Sequence, residues 1–148
     1  QGTAARDLLE VRRLYEVQAA AWAAERATDE DRQALRQALL AMQAAEATLE
    51  QCVAADVAFH EAIARASHNA VLEWMAAAIR SLLSGAIRLT MQQGFHPERV
   101  YRRHAPILEA IERRDGEAAA RAMAEHLCFT EERLRQAGES ASALAAPQ

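Results

Sequence analysis

The chain has 148 residues, 51% of them apolar, and a net charge of −4; that is length enough for one domain with its own core. Its acids and bases are interspersed without a basic stripe, which speaks against nucleic acid as a partner of this chain alone, and no apolar run nears the roughly 18 residues of a membrane span. Two cysteines, Cys52 and Cys128, make no disulfide scaffold, so a reducing cytoplasm is the expected compartment.

Alanine dominates, aromatics are scarce, and the few Pro and Gly sit mostly at breaks, a composition that predicts an all-α protein with close helix contacts. Leu8, Val11, Tyr15, Ala19 and Trp22 repeat at helical spacing and predict a first helix to about Arg26. Thr28, followed by Asp29, Glu30 and Asp31, reads as an N-cap with acids in the first turn. It opens a second helix through Leu35, Leu39 and Met42. A third runs from about Leu49 to Ala66, and His68-Asn69 marks its end, Asn69 suiting a C-cap. The fourth carries Val71, Leu72, Met75, Ile79, Leu82, Leu83, Ala86 and Ile87. Gly94 to Pro97 forms the next break, with Pro97 suited to a first turn. The fifth helix reaches about Arg113, and Asp115-Gly116-Glu117 starts a sixth that Gly138 ends. Short connections imply antiparallel neighbours. Gln1-Gly2 resembles a tag-protease scar, so residues 1–3 read as a tag remnant, 4–138 as an excised helical domain and 139–148 as a disordered tail.

Four polar residues fall inside apolar stripes. Asp56 and His60, four apart, share a face of the third helix with Val53, Val57, Ile63 and Ala64. His104 lies in the stripe of Val100, Ile107, Leu108 and Ile111, and His126 in that of Ala119, Met123 and Thr130. A buried carboxylate costs several kcal/mol, of the order of 5, unless it is paired or binds a metal. One shared divalent ion accounts for all four residues; the alternative is that the His and Asp residues simply pair with one another in a helical interaction module. Imidazole and carboxylate suit zinc first, and also nickel, manganese, cobalt or iron. A six-coordinate ion would keep two positions open, whereas a tetrahedral zinc would be closed.

The order of these residues carries a resemblance. Asp56, Phe59 and His60, followed by the small-residue stretch to Asn69, resemble the central Asp-x-x-x-His motif in the effector domain of FadR-type GntR transcription regulators. The segment His104 to Ile111, continued by Asp115 to Ala119, resembles that family's second motif, and Met123 to Leu127 its third. Glu10 to Glu16 with Ala23 to Thr28 is similar to its opening helix, so the likeness spans about Asp7 to Gln136. The resemblance implies an antiparallel bundle of six to seven helices around a small cavity. A metal would sit at its base on Asp56, His60, His104 and His126, with an organic acid above it. It further implies a homodimer, and a winged-helix DNA-binding domain that precedes this one and is absent from the chain. The expected function is metal-dependent sensing of a small carboxylate by a bacterial transcription regulator, not an enzyme; the alternative is a metal-dependent hydrolase on a helical bundle.

Arg12 lies within the first stripe and could clamp a carboxylate effector, or pair with Glu16 four residues on. Arg80, Ser84 and Arg88 form a polar row expected on a solvated face, with the pocket mouth as alternative. His68 and His96 are expected to be ordinary exposed residues, Cys52 a small core residue, and Trp22, Trp74 and Phe59 core or interface residues. Glu61 points about 100° away from His60 and is a poor general base.

Overall fold

The structure, a computed structural model, describes residues 2–44, 47–92 and 94–144. Among them are six helices: α1 (Gly2–Arg26), α2 (Asp29–Gln43), α3 (Leu49–Ala66), α4 (Ala70–Gln92), α5 (Pro97–Glu112) and α6 (Gly116–Leu144). They pack as an antiparallel bundle in which α1 touches α3, α4, α5 and α6, while α2 covers α3 and α5. The all-α expectation holds.

Local chemistry sets the helix ends. Thr28 and Thr48 each close a capping box, with Asp31 and Gln51 reaching back to the cap backbone. Pro97 sits in the first turn of α5, and Asp115 Oδ1 accepts from the Ala118 amide at 2.8 Å to start α6. At the α3–α4 corner the roles differ from expectation. His68 takes the left-handed turn (φ 50°), and Asn69 caps the start of α4 by accepting from the Leu72 amide at 3.1 Å. His68 is no idle surface residue either, since its Nε2 meets Asp31 Oδ2 at 2.8 Å. Gly138 does not end α6, which continues to Leu144; a glycine inside a helix costs only about 1 kcal/mol and stops one only where it turns left-handed. Gln1 and residues 145–148 lie outside the described residues.

The core runs through Leu35, Met42, Phe59, Ile63, Ile107, Ile111, Met123 and Leu127. The face that α1 turns inward differs from the expected one: Arg12, Tyr15, Glu16, Ala19, Ala20, Ala23 and Ala24 are buried, whereas Val11 and Leu14 are exposed. Alanines let neighbouring backbones come close. A Cβ on Gly116 would already meet the Ala21 carbonyl oxygen at 3.2 Å. This tight seam lowers two charged side chains of α1 into the middle of the bundle. On α4 the apolar pattern is two-sided, for Val71, Trp74, Met75, Leu82 and Leu89 face outward.

Candidate metal centre and ligand pocket

α3 brings Asp56 and His60 inward one turn apart, α5 adds His104 and α6 adds His126; all four are buried. One donor atom from each lies within 4.8 Å of the other three. Asp56 Oδ2, His60 Nε2, His104 Nε2 and His126 Nδ1 are buried without a hydrogen-bond partner. His104 Nε2 stands 2.8 Å from Asp56 Oδ1, and His60 Nε2 3.8 Å from it, yet neither nitrogen has hydrogen-bond geometry to it. The four donors thus cluster together, with Asp56 and His104 in direct contact. Buried polar atoms without partners are rare, and this donor set fits a divalent transition ion.

The outer contacts fix which ring nitrogen is bare. His104 Nδ1 donates to the Val100 carbonyl oxygen at 2.7 Å, and His60 Nδ1 donates to Glu16 Oε2. Each ring therefore turns an unprotonated Nε2 toward the centre, the arrangement that metal-binding histidines use. Phe59, fully buried, packs edge-on against both rings.

Glu16 holds a buried charge network together. Its Oε1 accepts from Arg12 Nε at 2.8 Å and from the Tyr15 hydroxyl at 3.2 Å, and Arg80 Nη2 is 3.5 Å away. Arg80 is buried, not solvated as expected, and also donates to the Val57 carbonyl oxygen at 3.3 Å. Arg88 does lie on the surface, paired with Glu50, while the Ser84 side chain lies outside the described residues. Cys52 is core, its thiol 3.5 Å from the Met42 carbonyl oxygen. Glu16 entered the sequence reading only as a partner for Arg12.

Above the donors opens a cavity of about 170 Å³. Arg12, Asp56, His104 and His126 border its floor; Thr90, Met91, Phe95, Phe129 and Thr130 contribute to its walls. Arg12 makes the expected pair with Glu16 through Nε, and its side chain also lines the cavity.

Burial would raise both carboxyls, but nearby cations and imidazoles prevail. Glu16 is held well below the usual carboxylate range by Arg12, His60 and Arg80, and Asp56 by His60, His104 and Arg12. Burial lowers His60 against the pull of Glu16 and Asp56, and lowers His126 further with help from His104 and His60. A histidine depressed in the folded state gives stability that is complete above its unfolded value, about 6.5, and is lost as pH falls. A depressed carboxylate behaves alike below about 4.5. Chelator-treated protein should therefore melt progressively lower from pH 7.5 to 5.5, with a steeper loss below pH 4.5. Circular-dichroism melts check this; a flat melting temperature between pH 7.5 and 5.5 would contradict it.

Residues 7–128 match the family model of the FCD domain. The chain belongs to the FCD domain family. This FCD domain is 34% identical over 128 residues to the galactonate operon transcriptional repressor of Escherichia coli K12, covering 86% of this chain and 56% of the relative. It is 36% identical over 134 residues to the HTH-type transcriptional regulator LutR of Bacillus subtilis 168, covering 87% and 61%. Among solved structures, E. coli McbR/YncC shares the fold with a TM-score of 0.79 at 20% identity, over 92% of this chain and 70% of that one. Streptococcus agalactiae GntR gives 0.72 at 26% identity, over 86% and 57%. The FCD domain thus spans a little over half the length of these two curated relatives. No helix among the described residues is long and apolar enough to cross a membrane.

Proposed function

We propose that this FCD domain is a metal-dependent sensor of a small carboxylate, working in the cytoplasm as part of a dimeric transcription regulator. DNA would be gripped by a winged-helix domain joined to its N-terminus. The observation that carries this reading is the cluster of four buried donor side chains, three of which, Asp56, His104 and His126, border an open cavity with Arg12 beside them. Asp56, His60, His104 and His126 would hold the ion, zinc first, with nickel, manganese, cobalt or iron as alternatives. The ion would supply positive charge and, if six-coordinate, open positions.

Charge balance favours an anion there. With neutral imidazoles, Arg12 and Arg80 offset Glu16 and Asp56, so a divalent ion adds two buried positive charges without a counterpart. A carboxylate answers both the ion and the guanidinium of Arg12. An engineered cavity of about 150 Å³ takes a benzene ring, so the volume here suits an acid of roughly six to ten non-hydrogen atoms. The effector shifts the regulator only by its differential affinity for two arrangements of the attached domains. Metal-loaded protein should melt several degrees higher with a saturating small carboxylate, and His104→Ala should lose most of that gain. A panel of small carboxylates that moves nothing would remove this reading.

The dimer would form through α4. Val71, Met75, Ala78, Leu82, Gly85 and Leu89 repeat with alternating four- and three-residue steps on the outward face, the spacing of a helix-pairing seam. Two antiparallel copies centred near Arg80 would set Val71 against Leu89 and Met75 against Gly85, which has open space around it. The exposed Glu73 would then face Arg88 of the second copy. Leu82→Glu should give a monomer in sedimentation velocity; an unchanged dimer, or a monomeric parent protein, would rule this seam out.

A further inference from the structure

The mouth of the cavity holds more positive charge than its floor requires. Arg99 and Arg103 stand one turn apart on α5, Arg133 comes from α6, and all three line the cavity. The Arg103 guanidinium lies 3.0 Å over the Phe129 ring centroid, and that of Arg133 lies 5.9 Å from it. Several other surface arginines meet acids, Arg36 with Glu112, Arg88 with Glu50, Arg102 with Glu98 and Arg135 with Glu132, whereas the exposed Arg13, Arg65, Arg113 and Arg114 lie away from the cavity. Among the described residues no carboxylate pairs with Arg99 or Arg103. Arg102 makes the contrast on the same helix, for it takes Glu98 at 2.8 Å while its two neighbours at the mouth take none.

Like charges gathered at one rim repel one another unless an anion joins them. Guanidiniums flanking an aromatic ring are held flat, with their forks ready for a planar carboxylate. A monocarboxylate seated on the floor, at the metal donors and Arg12, would leave Arg99 and Arg103 without an anion.

We propose that Arg99 and Arg103, flanked by Arg133 on the face of Phe129, form a second anion subsite, and that the effector is a short dicarboxylate. One carboxylate would sit at the floor and the other at the mouth. The inference rests on the sensor reading above and adds the charge and shape of the ligand.

Calorimetric titration of the metal-loaded protein with propanoate and with succinate, at matched ionic strength and pH 7.5, tests it. Succinate should bind at least about tenfold more tightly than propanoate, since a second charge-assisted contact is gained. In Arg99→Gln/Arg103→Gln that advantage should fall toward parity, with bound metal measured to show that the variant is folded. Propanoate binding without an advantage for succinate overturns the mouth subsite alone, as does an advantage that survives in the double variant. Binding of neither acid overturns the carboxylate reading itself.

Discussion

Glu16→Ala should destabilise the protein by about 3–5 kcal/mol, the loss expected when one member of a buried ion-pair network is removed. Arg12 and Arg80 would remain buried, each less than 5% exposed, without the carboxylate that meets them. His60 would lose the acceptor that orients its ring. For a chain of this size the melting temperature should drop by roughly 6–20 °C. Glu16→Gln separates charge from shape. It keeps an oxygen for the His60 Nδ1–H but not the charge that balances two guanidiniums. Its stability loss should be smaller, while metal affinity should fall about 10- to 100-fold, the usual effect of altering a contact behind a metal ligand. Thermal melts and a competitive metal titration read the two effects separately. Metal affinity at the parent level in Glu16→Gln would mean that Glu16 holds the fold and not the site.

The starts of α2, α5 and α6 were legible in the sequence because caps are local chemistry: Thr28 with Asp31, Pro97 at a first turn and Asp115 ahead of α6 all act within four residues. The four donors were legible for another reason. A histidine or aspartate in an apolar stripe breaks a pattern, and Asp56 and His60 break it together. The inward face of α1 was only partly legible, because alanine marks neither inside nor outside: Tyr15 and Ala19 are buried as expected, but Val11 of the same stripe faces solvent. Glu16 and Arg80 were hidden more deeply. A charged residue on a helix reads as solvated unless its partners are known; Arg12 was in view for Glu16, but His60 and Arg80 meet it from 44 and 64 positions away in the chain. The outward apolar row of α4 was legible as a pattern but not as a direction, since pairing with a second copy and burial in the core demand the same spacing. At the α3–α4 corner Asn69 is a cap as expected, but of α4 and not of α3, and His68 takes the left-handed turn. Both residue types tolerate the left-handed turn, and the turn fell where Asn69 could cap α4.

Stripping the metal with a chelator should lower the melting temperature by roughly 8–16 °C without unfolding the protein at room temperature. An ion present at about a thousand times its dissociation constant stabilises the folded state by about 4 kcal/mol, and each kcal/mol is worth roughly 2–4 °C at this length. Folding itself should survive, because the apolar core of Leu35, Met42, Ile63, Ile107 and Ile111 lies outside the donor cluster. The loss should be specific to the centre: His104→Ala, with one donor gone, should melt nearly alike with and without chelator. Asp56→Asn should sharpen the contrast, since it removes the one negative donor and so weakens the ion's hold while preserving volume. Far-ultraviolet circular dichroism with metal analysis on the same samples checks all three. A chelator shift that persists in both variants would place the ion somewhere other than Asp56, His60, His104 and His126; no stoichiometric ion and no shift in the parent would leave these side chains as a polar core whose rings answer only to Glu16, the Val100 carbonyl and one another.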